Sequence, residues 1–388
     1  MKISVVTSTR ADFGILLPLI KALEVADFAE LTVIATGSHF DHSRGYTFDE
    51  IHQAGIERVI ALEVDTSDTS DLGVALTASD SLQLMSNALS ENRPDLVVVL
   101  GDRYEILSVA FAAFLQKVPI AHISGGDLTL GALDDSIRHS ITKLASLHFT
   151  TTESYRKRVI QLGEQPSKVF NVGNLCIDNI KAVKPVTKRE LECFLDFDLS
   201  VFPHNILVTL HPETTRSDQD ELNQIFFSAL SSLDDIGMII TYPNHDAGSE
   251  SIITMIDALK KNHPEQVCVH QSLGMVRYHS LLNHVSAVVG NSSSGVTEVA
   301  SYGIPTVDVG DRQKGRVRAA SVIQCQYKEA EIVAAITSAL DDSCQLNAKQ
   351  AVNPYGDGDT ANKIVNTLKH VVLTELKKKE FYDIKYHD

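Results

Sequence analysis

Apolar runs of strand length alternate along this chain with segments of helix length, and this alternation restricts the fold more than any other feature. The clearest example runs from Val97–Leu100 through Glu105–Lys117 to Val118–Ile123. Two apolar runs separated by a helix-length segment form a β-α-β unit, whose strands lie parallel in a buried sheet. The pattern therefore predicts an α/β fold in which ligands bind beyond the carboxyl ends of the strands.

The same alternation occurs in both halves of the chain. The other runs predicted to form strands are Ile3–Thr7, Leu31–Thr36, Leu147–Thr151 and Val169–Val172 in the first half, and Ile206–Leu210, Met238–Thr241, Val285–Gly290 and Thr306–Val309 in the second. Strand character is lost between Asn179 and Arg189, which predicts a linker. A chain of 388 residues, 44% of them hydrophobic, has apolar material for two domains. We expect an N-terminal domain over residues 1–178 and a C-terminal domain over residues 190–360.

Composition argues against several classes of partner. A net charge of −16 disfavours binding to nucleic acid or to an anionic membrane. The five cysteines are odd in number and form no CxxC pair, which indicates neither a disulfide framework nor a zinc site. A strand-like segment follows Met1 directly, and the longest apolar segment, near Leu107–Leu115, is too short to span a bilayer. We expect a soluble cytoplasmic protein without nucleic-acid or membrane partners.

Carboxylates follow two neighbouring strands of the predicted β-α-β unit. Asp102 and Arg103 come after the first strand, and Asp127 comes after the second. Asp134 and Arg138 then lie one helical turn apart at the start of an amphipathic helix. Carboxylates in a first helical turn are also favoured by the macrodipole alone. Several carboxylates in one cleft raise one another's pKa, however, so the convergence favours general acid/base chemistry.

The two loops nearest the N-terminus contain other polar groups. The first has no GxGxxG fingerprint, so a nicotinamide cofactor is not indicated. Arg10 in that loop either binds an anionic group at a helix N-terminus or is simply solvated. The next loop holds His39, Asp41 and His42, but its histidines lack the i,i+4 spacing of helical ligands, which favours a surface loop over a metal site. We expect no metal.

The strands of the second half also end in polar residues. His211 follows one strand, and the segment Asn291–Gly295, NSSSG, follows another before a helix that carries Glu298. Small residues and hydroxyls at a helix N-terminus suit a phosphate, although a polar loop with an ordinary N-cap has the same pattern. The segment Gly310–Arg316 is basic within an acidic protein. Local cations of this kind favour a diphosphate ligand.

Six motifs together carry a family resemblance: GDR, GGD…DDSIRHSITK, HPE, YPN, SSG…E and GDRQKGR. In order and spacing they resemble the hydrolysing UDP-N-acetylglucosamine 2-epimerases, enzymes of the sialic-acid and legionaminic-acid pathways, from Arg10 to beyond Arg316. The resemblance implies two Rossmann-like domains facing across a cleft, a GT-B-like architecture. It also implies that residues 361–388 form a helix and tail packing back on the N-terminal domain, and that the protein is a homodimer or homotetramer.

The implied reaction uses no cofactor. The proton at sugar C2 is removed and UDP is eliminated, giving a 2-acetamidoglycal, and water then adds to release free N-acetylmannosamine or a related 2-epimerised sugar. The resemblance assigns Asp102 and Asp134 to acid/base catalysis, Arg138 to holding the carboxylates, and His211 to a position beside the diphosphate and sugar. The positions matching UDP contacts are Arg10, Arg103, Asn244, Ser293, Ser294, Glu298 and Arg312.

One position departs from the family pattern. Several relatives carry Glu where this sequence has Ser124, which leaves open the group that abstracts the C2 proton. Either Asp127 substitutes for it, or the difference reflects another sugar, such as a UDP-linked 2,4-diacetamido-6-deoxy sugar. The alternatives to a hydrolysing 2-epimerase are a non-hydrolysing epimerase, a GT-B-type glycosyltransferase and a nucleotide-sugar-binding protein without activity.

Overall fold

The computed structural model describes residues 1–42, 46–68, 70–129, 133–213, 218–243 and 248–385. The chain folds into two compact units. Unit 1 comprises Met1–Asn179 and Gly356–Asp388, and unit 2 comprises Ile180–Tyr355. The C-terminal segment thus returns to the unit formed by the first half of the chain.

Unit 1 is built around a parallel sheet. In its described part, the seven strands have the order β3-β2-β1-β4-β5-β6-β7. The strands are β1 (Lys2–Thr7), β2 (Glu30–Ala35), β3 (Val59–Ala61), β4 (Leu96–Leu100), β5 (Ile120–Ile123), β6 (Leu147–Thr150) and β7 (Val169–Asn171). The helices are α1 (Arg10–Glu24), α2 (Phe48–Gln53), α3 (Asp71–Asn92), α4 (Tyr104–Leu115), α5 (Leu133–Leu144), α6 (Glu153–Gln161) and α7 (Leu175–Ala182).

Unit 2 repeats this arrangement with fewer strands. Its described part has a six-stranded parallel sheet in the order β10-β9-β8-β11-β12-β13. The strands are β8 (His204–Thr209), β9 (Ile236–Thr241), β10 (Val267–His270), β11 (Ala287–Gly290), β12 (Thr306–Val309) and β13 (Val322–Cys325). The helices are α8 (Lys188–Leu195), α9 (Gln219–Ser231), α10 (Ser249–Asn262), α11 (Gly274–Leu281), α12 (Ser293–Thr297), α13 (Glu329–Leu340) and α14 (Asp342–Gln350).

Strand order explains where each unit offers a crevice. The order reverses between β1 and β4 in unit 1 and between β8 and β11 in unit 2. Ligands of open parallel sheets bind outside the carboxyl ends of the strands at such switch points. The central strand β4 is buried along its whole length, because helices cover both faces of a parallel sheet. The predicted fold class, two Rossmann-like α/β domains, is confirmed.

The C-terminal helices α15 (Thr360–His370) and α16 (Leu373–Leu376) belong to unit 1. The carboxylate of Asp178 accepts hydrogen bonds from the amides of Thr360 and Ala361 at 3.0 and 2.7 Å, which satisfies the first free N–H groups of α15. The buried residues Ile364 and Leu368 of α15 join the same core as helix α1. Among the described helices, none is both long and apolar enough to cross a membrane.

Sequence patterns missed some elements. Strands β3, β10 and β13 were not predicted, and all three lie at the edges of their sheets. Much of the predicted linker Asn179–Arg189 is helical, because α7 continues to Ala182 and α8 begins at Lys188. The boundary between the two units falls between Asn179 and Ile180, within this segment.

Gly290 ends β11 with a φ of 135°, and a Cβ at this position would overlap the backbone oxygen of Thr209 on β8. We expect Gly290→Ala to lower the free energy of unfolding by about 2–4 kcal/mol, because the strands must separate or the backbone must adopt a strained conformation. Urea denaturation measures the change. Gly14→Ala is the matched control, since Gly14 is in helix α1 with open space around it; this change should stabilise by about 0.5–1 kcal/mol. Equal midpoints for Gly290→Ala and the wild type would contradict the argument.

Candidate active site

Arg138 joins the polar loops at the carboxyl ends of β4 and β5. Its side chain is only 5% exposed. One guanidinium nitrogen, Nη2, donates to the carboxylate of Asp102 and, at 2.9 Å, to the hydroxyl of Thr129. The other, Nη1, donates to the backbone oxygen of Asp127 at 2.8 Å. The structure thus brings together three of the predicted site residues, Asp102, Asp127 and Arg138.

Asp134 lies in the first turn of α5, four residues before Arg138 and therefore on the same helical face. Desolvation raises the pKa of Asp134, and the charge of Glu105 adds to this effect while that of Arg103 opposes it. Arg103 itself makes a bidentate pair with the buried Glu105, at 3.2 and 3.0 Å. Asp134 is therefore a carboxyl that takes up a proton more readily than an ordinary aspartate.

The GGD loop after β5 is fixed from two sides. Arg158 Nη1 donates to the backbone oxygen of Gly126 at 2.5 Å, and the Thr151 hydroxyl donates to Asp127 Oδ1 at 3.0 Å. Ser124, at the position where the sequence departs from the family pattern, has a φ of 64°. This left-handed conformation is uncommon for a residue with a side chain. The loop thus holds the Asp127 carboxylate in a defined position three residues beyond Ser124.

His122 was missed by the sequence reasoning, and it fixes the backbone beside Asp102. It is fully buried in β5, with Nε2 2.8 Å from the Gly101 oxygen and Nδ1 3.1 Å from the Thr142 hydroxyl. Burial lowers the pKa of His122 to about 3, so the ring is neutral. Because a carbonyl only accepts, Nε2 carries the proton. A histidine inside an apolar strand was the signal available in the sequence.

Arg10 lies apart from this group, in a surface pair with Glu50 at 3.0 Å, and its side chain is 73% exposed. Arg10 is the first residue of α1, and the loop before it is anchored by Asp12, which was also missed. The carboxylate of Asp12 accepts from the amides of Ser8 and Thr9 at 3.0 and 3.1 Å and forms a capping box with Thr9. The loop between β1 and α1 is therefore shaped by an internal carboxylate.

The histidine considered as a metal ligand has a structural role. His39 is fully buried, with Nε2 3.0 Å from the Thr7 hydroxyl and Nδ1 2.9 Å from the Thr47 hydroxyl. A surface-loop interpretation is therefore wrong for His39, because these two hydroxyls satisfy its ring nitrogens in the interior. Throughout the part of the chain that the structure describes, no group of three or more His, Cys, Asp or Glu side chains is suited to holding a metal.

In unit 2, Asn291 joins the ends of β8 and β11. Its Oδ1 accepts from the His211 amide at 2.7 Å, and its Nδ2 donates to the His211 backbone oxygen at 2.9 Å. The backbone oxygen of Asn291 accepts from Arg312 Nη1 at 3.1 Å and from Gln313 Nε2 at 2.8 Å. Burial, together with the nearby Arg312 charge, lowers the pKa of His211 to about 4. His211 is therefore uncharged at neutral pH.

Ser293 begins helix α12, and Glu298 follows its last residue. The Ser294 hydroxyl lies 2.5 Å from the hydroxyl of Tyr278. Burial raises the pKa of Glu298 to about 7, while a hydrogen bond involving Ser294 acts in the opposite direction. Another predicted site residue, Asn244, lies outside the described residues. The described loops of unit 2 thus hold a basic side chain, hydroxyls and a carboxyl that titrates near neutral pH.

The family model for UDP-N-acetylglucosamine 2-epimerase matches residues 21–369 of this chain. The chain belongs to this family. The resemblance predicted from the motifs is therefore confirmed, and the Rossmann-like units described above are those of a 2-epimerase family member.

The similarity to individual relatives extends over nearly the full length of the chain. The chain is 36% identical to the Escherichia coli polysialic acid biosynthesis protein P7, over 99% of this chain and 97% of that protein. It is also 36% identical to the Campylobacter jejuni GDP/UDP-N,N'-diacetylbacillosamine 2-epimerase (hydrolyzing), over 99% of both. The crystal structure of Neisseria meningitidis UDP-GlcNAc 2-epimerase bound to UDP-GlcNAc has a TM-score of 0.75 at 20% identity, covering 95% of this chain and all of that one. The last similarity shows the fold.

Replacing Asn291 by alanine should destabilise the protein by about 2–4 kcal/mol, because the buried amide and carbonyl of His211 both lose their partner. Urea denaturation followed by circular dichroism measures this loss. Asn262→Ala is the control, since Asn262 is exposed at the end of α10 and its replacement should change stability by less than about 0.5 kcal/mol. Equal losses of unfolding free energy in the two variants would show that the pairing of Asn291 with His211 contributes no more to stability than an exposed asparagine does.

Proposed function

We propose that this protein is a hydrolysing 2-epimerase, which converts a UDP-linked 2-acetamido sugar into UDP and the free sugar inverted at C2. The substrate is UDP-N-acetylglucosamine or a UDP-2,4-diacetamido-6-deoxy sugar. The observation that carries the proposal is the cluster in which Arg138 holds Asp102 and the Asp127 loop while Asp134 lies one turn away. The family membership and the hydrolysing relative from Campylobacter jejuni support it.

The chemistry requires two proton-transferring groups. In the first step a carboxylate takes the proton from C2, the C1–O bond breaks and UDP leaves with the bonding electrons, which gives a 2-acetamidoglycal. In the second step water supplies hydroxyl to C1 while an acid gives a proton to C2. Inversion at C2 means that the second proton arrives on the face opposite to the one from which the first departed. One group on each side of the sugar is therefore needed.

Asp134 and Asp102 are the proposed pair. The raised pKa of Asp134 suits a group that must take up a proton as well as release one. The ion pair with Arg138 stabilises Asp102 as a carboxylate. Asp127 is proposed as the third carboxylate, compensating for Ser124, because its loop is anchored by Arg138 and Thr151.

The proposed UDP contacts are side chains that can carry positive charge or form hydrogen bonds. Arg312 Nη1 is anchored to the backbone oxygen of Asn291, and this arginine is proposed to bind the diphosphate because a guanidinium donates several hydrogen bonds to phosphate oxygens. The uncharged His211 is proposed as a hydrogen-bonding group beside the diphosphate and sugar. The remaining proposed contacts are Arg10, Arg103, Asn244, Ser293, Ser294 and Glu298. We also propose that the enzyme works in the cytoplasm as a homodimer or homotetramer and without a cofactor.

The test is an NMR analysis of the products in deuterated water. Each candidate UDP-sugar is incubated with the protein, and we expect UDP together with a free manno-configured sugar that carries deuterium at C2. Accumulation of the intact 2-epimerised UDP-sugar instead would identify a non-hydrolysing epimerase, the second candidate, to which the family name applies equally. Absence of UDP release from either substrate would refute the proposal.

Asp102→Asn is the matched variant for this assay. Turnover should fall by about 100-fold to 10,000-fold, the usual contribution of one acid/base group. UDP affinity, measured by calorimetry, should stay within about 3-fold of the wild type if Asp102 acts on the sugar and not on UDP. Undiminished turnover would remove Asp102 from the mechanism.

Glu298 predicts a pH dependence of UDP binding. Its pKa of about 7 means that the carboxylate form increases as the pH rises from 6 to 8. A carboxylate accepts hydrogen bonds from ribose hydroxyls more strongly than a neutral carboxyl, so we expect UDP to bind about 5-fold to 10-fold more tightly at pH 8. Calorimetry at both pH values measures this difference. Glu298→Gln is the control, because titration of the UDP phosphates and of other groups affects both proteins alike; an equal pH dependence in both would exclude Glu298 as the cause.

A further inference from the structure

The C-terminal tail after α16 makes specific contacts with unit 1. The amide of Tyr382 donates to the backbone oxygen of Gly163 at 2.8 Å. Gly163 has a φ of 89°, and a Cβ there would overlap the ring of Phe381. Lys168 Nζ donates to the backbone oxygens of Glu375 and Lys378 at 2.8 and 3.1 Å. The tail segment Lys377–Tyr382 is thus held at several points along its length.

Lys379 is the central contact of this tail segment. Its ammonium group lies 2.8 Å from Glu164 Oε2 and donates to the backbone oxygens of Thr142 and Ala145. An ammonium group has three N–H donors, and these three acceptors satisfy all of them. The two carbonyls belong to the last turn of α5 and the residue just after it. A lysine at this end of a helix is favoured by the macrodipole and by the free carbonyl groups.

The acceptor Glu164 is buried and contacts three side chains. Besides Lys379, its carboxylate accepts from Lys143 Nζ at 2.5 Å and lies 3.0 Å from His148 Nε2. Burial alone would raise the pKa of Glu164, but the hydrogen bonds from His148, Lys143 and Lys379 lower it to about 2. The carboxylate therefore stays charged and requires its cationic partners.

Helix α5 connects this tail contact with the candidate active site. Its first turn carries Asp134, and the next turn carries Arg138, which binds Asp102. Its last turn carries Thr142, whose hydroxyl contacts the ring nitrogen of His122, and His122 in turn binds the carbonyl immediately before Asp102. Helix α5 is thus connected to Asp102 directly through Arg138, and indirectly through the contact of Thr142 with His122.

We propose that Lys379 is a positioning residue for the epimerase reaction, which fixes the C-terminal end of α5 and thereby the orientation of Asp134 and Arg138. The expected effect on kcat rests on the proposed function. The geometry of acid and base governs the chemical step, and displacements of about 1 Å can reduce it 100-fold. Lys379 makes its contacts at the opposite end of α5 from Asp134, so substrate affinity should change little.

The test compares Lys379→Met with Lys379→Arg and with Lys377→Met, the last being an exposed lysine two residues earlier. We expect Lys379→Met to lower kcat by about 10-fold or more, with KM and UDP affinity within about 2-fold. Lys379→Arg should recover most of kcat, and Lys377→Met should resemble the wild type. The number of UDP sites per chain corrects for unfolded protein. Wild-type kcat per UDP site in Lys379→Met would overturn the proposal.

Two further measurements separate this proposal from folding defects and from the proposed function. Lys379→Met combined with Glu164→Gln removes both charges and leaves no unpaired buried carboxylate; it should show the same loss of kcat. Amide hydrogen exchange within residues 133–144 should be faster in Lys379→Met, and unchanged exchange would refute the coupling to α5 whatever the activity. A wild-type protein that releases no UDP overturns the proposed function, whereas an active wild type with an equally active Lys379→Met overturns only the role of Lys379.

Discussion

The charge of Arg138 must be balanced where the protein leaves almost no access to water. A buried guanidinium is costly unless carboxylate and carbonyl acceptors surround it, and here the acceptors come from two different strand ends. Asp102 follows β4, and the Asp127 backbone follows β5. Since Arg138 belongs to α5, the helix and both loops are fixed to one another. A shift of the helix or of either loop would break a hydrogen bond of this buried guanidinium, which gives the carboxylate cluster a defined geometry.

In unit 2, the side chain of Asn291 connects two strand ends. The amide of Asn291 both donates to and accepts from the backbone of His211, and its own carbonyl receives Arg312. In unit 1, Arg103 is oriented by the buried carboxylate of Glu105. In a chain with a net charge of −16, an anionic ligand must be attracted by locally placed cations such as these.

Sequence patterns predicted the central strands well because burial on both faces gives continuous apolar runs, as in β4 and β5. The missed strands β3, β10 and β13 lie at sheet edges, and each is only partly buried, so the signal is weaker there. Candidate site residues at strand ends could be proposed because polar side chains interrupt the apolar pattern. His122 and Asn291 were visible in the sequence as polar residues in and after apolar strands, but their partners Gly101 and His211 depend on contacts between neighbouring strands.

The C-terminal tail shows that a charged composition alone does not identify a frayed terminus. Charged residues such as Lys377 to Glu380 are common in frayed termini, but Lys379 is held by Glu164 and by the backbone oxygens of Thr142 and Ala145. Glu164 with Lys143 alone is a balanced pair, and burial lowers the pKa of His148, which keeps the ring neutral. Adding Lys379 leaves one excess positive charge, and that charge lies against the negative end of the α5 dipole. Asp134 lies in the first turn at the positive end of the same helix. The polarity of α5 that retains the lysine at one end thus favours the charged form of Asp134 at the other, and it opposes the desolvation that raises the pKa of Asp134.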